Sequence, residues 1–520
     1  MTARTLYGRF AATVASFPDH LALEVGDVAL TYAQLDRAAA HMAERMRGAV
    51  GGTPTRVGLL TTRRPASYVS YLAALRLGAI VVPQNPLAPA GRNLDIAAEA
   101  GIDLTVIDET SGDAADDYRN SPDLQVLDVS GYDACAPARC PAERPPVVTG
   151  GGDDIAYTIF TSGTTGKPKG VPITNESIDA YLSDIVDRYG LGPGCRVSQM
   201  FEMCFDASIM EIFGSWASGA TLCVPSEAEV FTPVRYVNAK RLTHWMSVPS
   251  VVSFARQLRG LTPGSMPTLR RSVFGGETLT VEQAAAWSAA APNAVLHNCY
   301  GPTELTVFMA DYRLPVDTAD WPETSNRSIP IGEVFPGMDW ILLDEQLHPS
   351  ADDGELCVRG VQRFPGYLDP GQNTRRFVSV TDRRGHLHDG SRPLAATDFY
   401  RTGDRCRVEN GMLVHLGRID NQVKIRGHRI ELGEIESVLR RHPDVVTAVV
   451  VALTAVDGQI ELHAAYTGEQ VPDTEFTALL ATLPGYMRPQ RIRHRESIPV
   501  TPVGKVDRNR LAAEFASADL

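Results

Sequence analysis

The chain has 520 residues, of which 44% are hydrophobic and 21% are charged, a composition that excludes global disorder. At roughly 100–200 residues per domain, the length predicts two or more domains. The 62 acidic and 49 basic side chains give a net charge of −13, which argues against a nucleic-acid partner. No apolar run approaches the ~18 residues of a membrane span, and residues 16–20 carry no signal cleavage site, so we expect a cytoplasmic protein without a membrane partner.

Helical patterns alternate with short β-branched runs along the first part of the chain. In order, we predict a helix at 30–47, a strand at 56–60, a helix at 68–77, and strands at 79–82, 104–107, 157–160 and 220–224. Strand, helix and strand at this spacing predict a parallel sheet covered by helices. Residues 136–148 are polar and rich in proline, as in a linker or loop.

The residue pattern of the sequence changes towards the end of the chain. From Gly354 onwards the pattern becomes one of short, glycine-rich strands. After about Asp420 comes a compact segment with an amphipathic helix at 435–441 and a strand at 448–452. This segment is a candidate for a second, smaller domain.

The eight cysteines predict neither a metal site nor a disulfide framework. None belongs to a Cys-x-x-Cys pair, and only Cys135 and Cys140 lie close together, without histidine partners. Several of the others lie inside apolar runs, so we expect reduced and mostly buried thiols.

A loop suited to anion binding follows the strand predicted at 157–160. Residues 161–170, TSGTTGKPKG, combine glycines, hydroxyls and two lysines. Glycines let backbone N–H groups turn towards an anion, hydroxyls add donors and lysine adds charge. The loop is not a Walker loop, because Thr161 stands where that motif needs glycine and Pro168 where it needs serine or threonine. A polar surface hairpin would have the same composition.

Residues 160–170, FTSGTTGKPKG, resemble the phosphate loop of the acyl-adenylate-forming superfamily. This family contains acyl-CoA synthetases, firefly luciferase and the adenylation domains of nonribosomal peptide synthetases. Similar motifs follow in the family's order from about residue 30 to residue 511, so the chain is identified as a member. The resemblance implies ATP and Mg²⁺ as cofactors, and contacts to the phosphates from Thr161, Ser162, Gly163, Thr164, Thr165 and Lys167.

Two further motifs resemble the family's nucleotide site. In residues 298–304, NCYGPTE, Tyr300 would stack on adenine and Glu304 would ligate Mg²⁺, a cation that prefers carboxylate and phosphate oxygens. In residues 400–404, YRTGD, Asp404 would accept hydrogen bonds from the ribose hydroxyls. Taken alone, the two motifs would fit a helix start and a turn aspartate equally well. The resemblance adds these residues to the nucleotide site: Gly276, Asn298, Gly301, Thr303 and Arg418.

The end of the chain resembles the mobile domain of the family. Residues 417–431, GRIDNQVKIRGHRIE, resemble the hinge and the start of that domain, with Asp420 as the pivot and Arg418 reaching the ribose or phosphate. A solvated, charged hairpin would explain the composition but not the order of these residues. Residues 501–508, TPVGKVDR, resemble the catalytic lysine loop. A substrate carboxylate is already ionised at neutral pH, so Lys505 would neutralise charge and align the reactants rather than act as a base.

Residues 205–213, FDASIMEIF, are similar to the core of the amino-acid-activating members. In those members the aspartate that matches Asp206 binds the α-ammonium group of the substrate. A buried carboxylate selects strongly for a cationic group, because leaving either charge buried and unpaired is costly. Asp206 also suits the N-cap of the following helix, and one residue can fill both roles. Fatty- and aryl-acid-activating members usually lack this acid, which favours an amino acid as substrate.

The resemblance also predicts the walls of the substrate pocket: Phe205, Ala207, Met210, Met246, Val273, Gly275, Cys299, Val307 and Phe308. Apart from Asp206 the set is uncharged, so a charged substrate side chain would be buried without a partner. The small residues Gly275 and Ala207 enlarge the pocket, and the methionines and Phe308 reduce its volume. We expect a neutral side chain, small to medium aliphatic first and aromatic second. Ordinary core packing is the alternative role for the apolar members.

Two positions depart from the family pattern, and the end of the chain is also informative. Asn175 stands where many members have histidine, and His415 stands where an aromatic residue often packs on the nucleotide.

Nine residues follow Leu511, without the Gly-x-x-Ser attachment site of a carrier domain. We therefore expect a free-standing enzyme or an excised domain whose carrier protein is supplied in trans.

Together these features predict an α/β protein with two domains. Residues 1–419 would form layered α/β sheets with a small β-barrel-like portion, and residues 420–520 a small, mobile α+β domain carrying Lys505. The expected reaction makes aminoacyl-AMP and then a thioester on the phosphopantetheine of a carrier protein, in peptide or polyketide natural-product biosynthesis. An acyl- or aryl-CoA ligase and a non-catalytic binding module remain as alternatives.

Overall fold

The computed structural model describes residues 5–112, 114–122, 124–136, 154–163, 167–420, 422–455, 460–500 and 506–517. The predicted catalytic Lys505, the loop residues Thr164 and Thr165, and Cys140 lie outside the described residues, as does most of the proline-rich stretch.

The first sheet of the described chain has six strands. In spatial order they are Gln125–Asp128, Leu104–Ile107, Arg56–Leu60, Ile80–Pro83, Ile155–Thr161 and Lys169–Thr174. All neighbours are parallel except the last pair. The phosphate loop joins this last pair, so it leaves the sheet at the carboxyl ends of the parallel strands, the edge at which open α/β sheets bind ligands.

A second sheet has nine strands within the described ranges. In spatial order they are Glu333–Val334, Ala310–Arg313, Val295–Tyr300, Arg271–Gly275, His244–Ser247, Arg196–Ser198, Thr221–Val224, Leu21–Val25 and Val28–Thr31. Its central strands are parallel, and Gly275 pairs with Cys299 in register. Gly275 and Tyr300 each end their strand, so the motif at 298–304 leaves this sheet at its carboxyl edge.

The later part of the chain is antiparallel, as its short glycine-rich strands predict. A seven-stranded sheet contains Met338–Leu343, Pro349–Ser350, Asp353–Gly360, Phe377–Thr381, Arg384–Leu387, Phe399–Glu409 and Met412–Arg418. It occupies the place of the expected barrel-like portion, and its described pairings branch at Phe399–Glu409. A hairpin of Gln422–Ile425 and His428–Glu431 follows, and then a three-stranded sheet of Val445–Thr454, Ile460–Gly468 and Arg491–His494.

Helices cover the sheets. The α-helices are Leu6–Ser16, Tyr32–Val50, Pro65–Arg76, Ala90–Ala100, Ala114–Arg119, Asn175–Tyr189, Ala207–Trp216, Glu227–Val230, Pro233–Lys240, Ser250–Gln257, Val281–Ala290, Leu432–Leu439, Asp473–Leu480 and Arg508–Ser517. Short 3₁₀ helices span Glu109–Ser111, Thr303–Leu305, Thr318–Asp320, Pro370–Asn373 and Gly485–Met487. No helix in the described part of the chain has the length and apolarity to cross a membrane.

The boundaries of predicted elements shift where capping residues fix them. The helix expected from residue 30 begins at Tyr32, because Thr31 and Gln34 form a reciprocal capping box. Gly51, in the left-handed conformation, ends the helix three residues later than expected. The strand at 104–107 matches its prediction, and the strand predicted at 448–452 extends to Val445–Thr454.

Two of the clusters of buried apolar side chains bear on the domain organisation. One large cluster joins side chains of both parallel sheets with side chains of the seven-stranded sheet. A separate cluster draws only on residues 425–487, from the hairpin onwards. The predicted mixed α/β class is confirmed by this architecture.

Candidate active site

Two adjoining cavities open where the phosphate loop, the carboxyl edge of the nine-stranded sheet and the hairpin meet. The Asp206 cavity, of about 140 Å³, is lined by Asp206 and by phosphate-loop residues. The Tyr300 cavity, of about 340 Å³, is lined by Asn298, Tyr300 and His415. The two share a wall made of Gly276, Gly301, Asp404, Arg418, Gln422 and Lys424. Residues far apart in sequence thus surround one site.

Asp404 forms the charged centre of the Tyr300 cavity. Its Oδ2 accepts a hydrogen bond from the Tyr300 hydroxyl at 2.5 Å, and its Oδ1 lies 3.1 Å from both an Arg418 guanidinium nitrogen and His415 Nε2. Burial alone would raise the pKa of Asp404, but Arg418 and His415 outweigh it and hold that pKa well below its usual range. The carboxylate is therefore ionised at any physiological pH. His415, noted as a departure, lies against Asp404 and beside the Tyr300 ring.

The predicted hinge residue is bound to the same network. Asp420 accepts two hydrogen bonds from Arg418, at 2.9 and 2.6 Å, and one from the Gln422 backbone N–H at 3.2 Å. Arg418 also donates to the Thr402 carbonyl. Arg418 thus ties the ribose-motif aspartate to the hinge aspartate across the shared wall.

Asn298 contributes an unused acceptor to the Tyr300 cavity. Its amide nitrogen donates to the carbonyls of Ile329 and Pro330, at 3.1 and 2.8 Å. Its Oδ1 is buried and finds no hydrogen-bond partner within the described residues. A buried polar atom without a partner is costly, so this oxygen is suited to a ligand donor.

Asp206 lies on the wall of the smaller cavity, directly before the helix Ala207–Trp216. Although it occupies the predicted N-cap position, its backbone is helical and its side chain makes no N-capping hydrogen bond. Burial raises its pKa to about 6, against the opposing effects of the Thr303 side chain, the Ala207 backbone N–H and the Lys424 ammonium. A further cation beside Asp206 would restore its full ionisation.

Glu304, the predicted magnesium ligand, is occupied in this arrangement. One guanidinium nitrogen of Arg429 contacts both of its carboxylate oxygens, at 2.9 and 2.8 Å, and the Tyr367 hydroxyl donates to it at 2.6 Å. Burial raises the pKa of Glu304, but Arg429 and Tyr367 outweigh it and lower the pKa to about 2. In the described part of the chain, no group of three or more His, Cys, Asp or Glu side chains could hold a metal.

The described part of the phosphate loop lies beside the hairpin. Ser162 Oγ donates to the Arg429 carbonyl at 2.7 Å, and the Thr161 hydroxyl is buried without a described partner. Gly163 has no room for a side chain, because a Cβ there would lie 2.0 Å from the Lys167 carbonyl oxygen. The Lys167 side chain is exposed.

Lys169 is a candidate residue that the sequence reasoning passed over. It is buried, with its ammonium 5.6 Å from the centre of the Tyr367 ring. Burial and the nearby Arg376 lower its pKa to about 8. The loop sequence contains two lysines, but only packing distinguishes the buried Lys169 from the exposed Lys167.

Lys424 and Arg429 were also missed as site residues. They pair directly across the hairpin, so both side chains point to the same face, and both line the Asp206 cavity. The segment is therefore a hairpin, as the alternative predicted, but the face that carries Lys424 and Arg429 is only partly exposed. The period-two alternation of Val423, Lys424 and Ile425 was the signal in the sequence.

The predicted substrate-pocket residues divide into three groups. The Asp206 cavity is lined by Asp206 itself and by Phe205, Ala207, Val307 and Phe308. Cys299 lines the Tyr300 cavity instead, with its thiol 3.1 Å from the Tyr189 hydroxyl. The remaining residues line neither of the two cavities and lie in or beside the surrounding core: Met210, Met246, Val273 and Gly275.

The described thiols are mostly buried, as the sequence predicts. The seven described cysteines are free, and five of them are buried: Cys195, Cys223, Cys299, Cys357 and Cys406.

The sequence matches the family of AMP-binding enzymes over residues 10–368. The chain belongs to this family, and its predicted membership of the acyl-adenylate-forming superfamily is confirmed. Its relatives include nonribosomal peptide synthetases and solved adenylation domains, so the prediction of an AMP-forming ligase that uses ATP is confirmed at the level of the family.

Three relatives illustrate the likeness. The chain is 34% identical to phosphinothricin tripeptide synthetase PhsC of Streptomyces viridochromogenes, over 99% of this chain and 46% of that protein. It is 33% identical to IdnL7, with a TM-score of 0.70 and 99% of each chain covered. It is 25% identical to the Vibrio cholerae adenylation domain AlmE, solved with glycyl-adenosine-5'-phosphate, with a TM-score of 0.80 and 98% of each chain covered. The chain spans less than half of PhsC.

Proposed function

We propose that this chain activates a neutral amino acid as aminoacyl-AMP and then transfers it to the phosphopantetheine thiol of a carrier protein supplied in trans. The observation that carries this proposal is Asp206, a carboxylate of raised pKa on the wall of a cavity that also reaches the phosphate loop. The glycyl-adenylate bound to AlmE supports an amino acid as the acid that is activated.

Asp206 would bind the ammonium group of the substrate. Apolar side chains line the cavity around it, among them Ala207, Val307 and Phe308. An ammonium ion placed there would compensate the charge of Asp206, whereas an uncharged acyl chain would leave the carboxylate unpaired. This asymmetry favours an amino acid over a plain carboxylic acid.

The Tyr300 cavity would bind the adenosine. Its volume of about 340 Å³ suits a nucleoside, and the free Oδ1 of Asn298 would accept a hydrogen bond from the adenine amino group. Tyr300 would contact the base, and the ionised Asp404 would accept hydrogen bonds from the ribose hydroxyls. Arg418 would hold Asp404 in place while reaching the ribose or phosphate.

The phosphates would lie between the loop and the hairpin. Thr161 offers a hydroxyl without a described partner, and Ser162 and Gly163 offer further donors at the turn. The buried ammonium of Lys169 adds positive charge on this side. Thr164, Thr165 and Lys167 keep their proposed role from the family motif.

Mg²⁺ fits the chemistry of Glu304 but not the present position of Arg429. A single carboxylate together with phosphate oxygens and water suits this cation. Arg429 and Tyr367 already engage the carboxylate oxygens of Glu304. Glu304 would therefore hold Mg²⁺ only after the hairpin withdraws, and the ion would then neutralise charge on the phosphates.

Movement of a small C-terminal domain would provide that withdrawal. We propose domains at residues 1–419 and 420–520, with Asp420 as the hinge. The separate apolar cluster of residues 425–487 supports an independent body. Its contacts to the large domain include the Arg92–Glu434 ion pair at 2.5 Å and a hydrogen bond from the Gly427 backbone to Glu277 at 2.8 Å. Rotation about the hinge would break these contacts and bring Lys505 to the site.

The chemistry then runs in two half-reactions. An oxygen of the substrate carboxylate attacks the α-phosphorus of ATP, the bond to the bridging oxygen breaks, and pyrophosphate leaves. Lys505 would stabilise the charge that develops on the phosphate oxygens. After the domain rotates back, the carrier thiolate attacks the acyl carbon and AMP leaves, which forms the thioester.

Substrate-dependent exchange between ATP and pyrophosphate tests the first half-reaction. The panel would contain the proteinogenic amino acids, several D- and β-amino acids, and matched acids without the amine. We expect exchange with a neutral amino acid, its loss with the des-amino analogue, and strong reduction in Asp206→Ala and Lys505→Ala. Exchange with amine-free acids alone would move the protein to the acyl or aryl branch of the family.

The second half-reaction needs a separate assay. Radiolabelled amino acid would be offered to a phosphopantetheinylated carrier protein and, in parallel, to coenzyme A. Label on the carrier supports transfer in trans, and label on coenzyme A alone supports the ligase alternative.

A further inference from the structure

The turn at residues 305–308 holds its backbone in an unfavourable conformation beside the Asp206 cavity. Thr306 and Val307 have φ angles of +58° and +69°. Both residues are β-branched, and such side chains rarely adopt positive φ. Strain of this kind persists only where the surroundings enforce it.

Gln362 and Gly301 enforce this turn. The buried amide nitrogen of Gln362 donates to the carbonyls of Leu305 and Phe308, at 3.2 and 2.9 Å, and the Thr306 hydroxyl donates back to the Gln362 carbonyl at 2.7 Å. On the other side, a Cβ on Gly301 would lie 2.6 Å from both the Val307 carbonyl oxygen and Phe308 Cα. The turn is therefore clamped between Gln362 and the bare backbone of Gly301.

The clamped turn directs the ring of Phe308 onto Gly275. A Cβ built on Gly275 would lie 2.4 Å from Cζ and 2.6 Å from Cε1 of Phe308. The ring tip thus occupies the space that the missing side chain leaves, and Phe308 is only 4% exposed. The room that Gly275 makes in the sequence is filled by Phe308.

Phe308 also bounds the open space next to Asp206. The cavity there measures about 140 Å³ and is lined by Ala207, Val307 and Phe308. Met210, Met246 and Val273 do not line it, and each is at most 2% exposed. A close-packed interior of this kind does not admit a further large group without displacing its neighbours.

We propose that Phe308, positioned by Gln362, restricts the substrate to amino acids with very small side chains, of the size of those in glycine, alanine and serine. This inference rests on the proposed function and narrows its substrate class, since it excludes the larger aliphatic and aromatic side chains that the pocket residues alone allow. In a rigid apolar pocket each additional methylene changes discrimination by roughly tenfold or more.

ATP–pyrophosphate exchange of the full chain, measured along a series of graded size, tests the filter. The series is glycine, alanine, serine, 2-aminobutyrate, valine, leucine and phenylalanine, together with acetate, propionate and longer acids that lack the amine. For the wild type we expect kcat/KM to be highest among the first three and to fall at least tenfold by valine. Phe308→Ala and the milder Phe308→Leu should raise kcat/KM for valine and leucine at least tenfold while the KM for ATP stays unchanged.

Phe377→Leu provides the matched control. Phe377 is fully buried in the seven-stranded sheet and lines neither cavity, so its truncation removes the same volume elsewhere. It should leave the order of substrates unchanged. A wild-type enzyme that prefers leucine or phenylalanine would overturn the size filter, as would Phe308 variants whose preference does not move.

The graded acids separate failure of this inference from failure of the proposed function. Exchange with acids alone would refute the amino-acid assignment. A preference for short acids that shifts in Phe308→Leu would in that case still support the filter, and the absence of any size preference would overturn it.

Gln362→Met tests the positioning role, because methionine keeps the length of the side chain but cannot donate. A residue that merely stabilises the fold would lower kcat/KM for every substrate in proportion. We expect instead that the ratio of kcat/KM for alanine to that for valine falls at least fivefold. An unchanged ratio would show that Gln362 does not position the filter.

Discussion

The Tyr300 cavity and the Asp206 cavity share a wall, yet the charge of the acidic side chain in each is compensated to a different extent. In the Tyr300 cavity, Asp404 is bound by the Tyr300 hydroxyl, Arg418 and His415, so its charge is compensated by the protein itself. In the Asp206 cavity, burial dominates, and the pKa of Asp206 rises to about 6. We propose that the first acid is a fixed part of the scaffold, whereas the charge of the second is compensated by a cation of the substrate.

The largest expected effect comes from breaking the fixed network. Asp404→Asn removes the charged acceptor proposed for the two ribose hydroxyls, and each hydrogen bond to a charged group contributes about 1.5–3 kcal/mol. We expect kcat/KM for ATP in the exchange reaction to fall at least about 100-fold, since about 1.4 kcal/mol corresponds to tenfold. Steady-state exchange at varied ATP, with thermal unfolding as a check of folding, measures this effect.

Asp353→Asn is the matched control for that variant. Like Asp404, Asp353 lies in the seven-stranded sheet. Its carboxylate oxygens lie 2.7 and 2.9 Å from guanidinium nitrogens of Arg405 and Arg407, but this site is partly exposed. Exposed pairs contribute about 1 kcal/mol or less. If both variants lost activity equally, Asp404 would have no special part in the nucleotide site.

The next prediction separates the two acids by pH. An amino acid needs Asp206 ionised, so below a pH of about 6 protonation of Asp206 should raise the KM for the amino acid, by roughly tenfold per pH unit. The pKa of Asp404 is held far below this range, so Asp404 itself should add no pH dependence to the binding of adenosine between pH 5 and 7. Exchange kinetics measure the KM for the amino acid at each pH, and titration calorimetry measures the binding of adenosine. A KM that is flat in pH would show that Asp206 does not bind the substrate.

The sequence anticipated the charged site better than the apolar one, for physical reasons. Asp404, Arg418 and Glu304 lie in contiguous motifs, where short-range spacing already indicates the chemistry. The place of Phe308 depends on its contact with Gly275, more than thirty residues away, and on a turn held by Gln362. No local pattern encodes such packing.

The same limit explains the other differences from prediction. Packing makes Lys169 buried and Lys167 exposed, although both lie in one short loop. The pairing of Glu304 with Arg429 depends on the arrangement of two regions that lie on either side of Asp420 in the sequence. By contrast, the parallel strands and their helices follow from local periodicity, and the sequence located them to within a few residues.

A third prediction concerns the hairpin as a competitor for the metal ligand. If Arg429 and Mg²⁺ compete for Glu304, Arg429→Met should lower the Mg²⁺ concentration needed for half-maximal exchange, by roughly tenfold or more for a charge-assisted contact of about 1.5–3 kcal/mol. Titration of exchange activity with Mg²⁺ measures the shift. Arg401→Met, which breaks a comparable pair with Glu355, is the control and should leave the Mg²⁺ dependence unchanged. A higher Mg²⁺ requirement in Arg429→Met would contradict the competition.

The smallest expected effect sharpens the description of Asp206. The Thr303 side chain lowers the pKa of Asp206 by hydrogen bonding, and Thr303→Val keeps the shape while removing the hydroxyl. One hydrogen bond to a charged group contributes about 1.5 kcal/mol at the low end of its range, so the pH midpoint of the amino-acid KM should rise by about one unit. At pH 8, where Asp206 is ionised in both proteins, the KM should differ by less than about threefold. Thr221→Val removes a buried hydroxyl that donates to the Leu21 carbonyl, away from both cavities, and should leave the midpoint in place. A midpoint that falls in Thr303→Val would mean that the Thr303 hydroxyl stabilises the protonated form of Asp206. Thr303 would then not help to keep Asp206 ionised for the substrate.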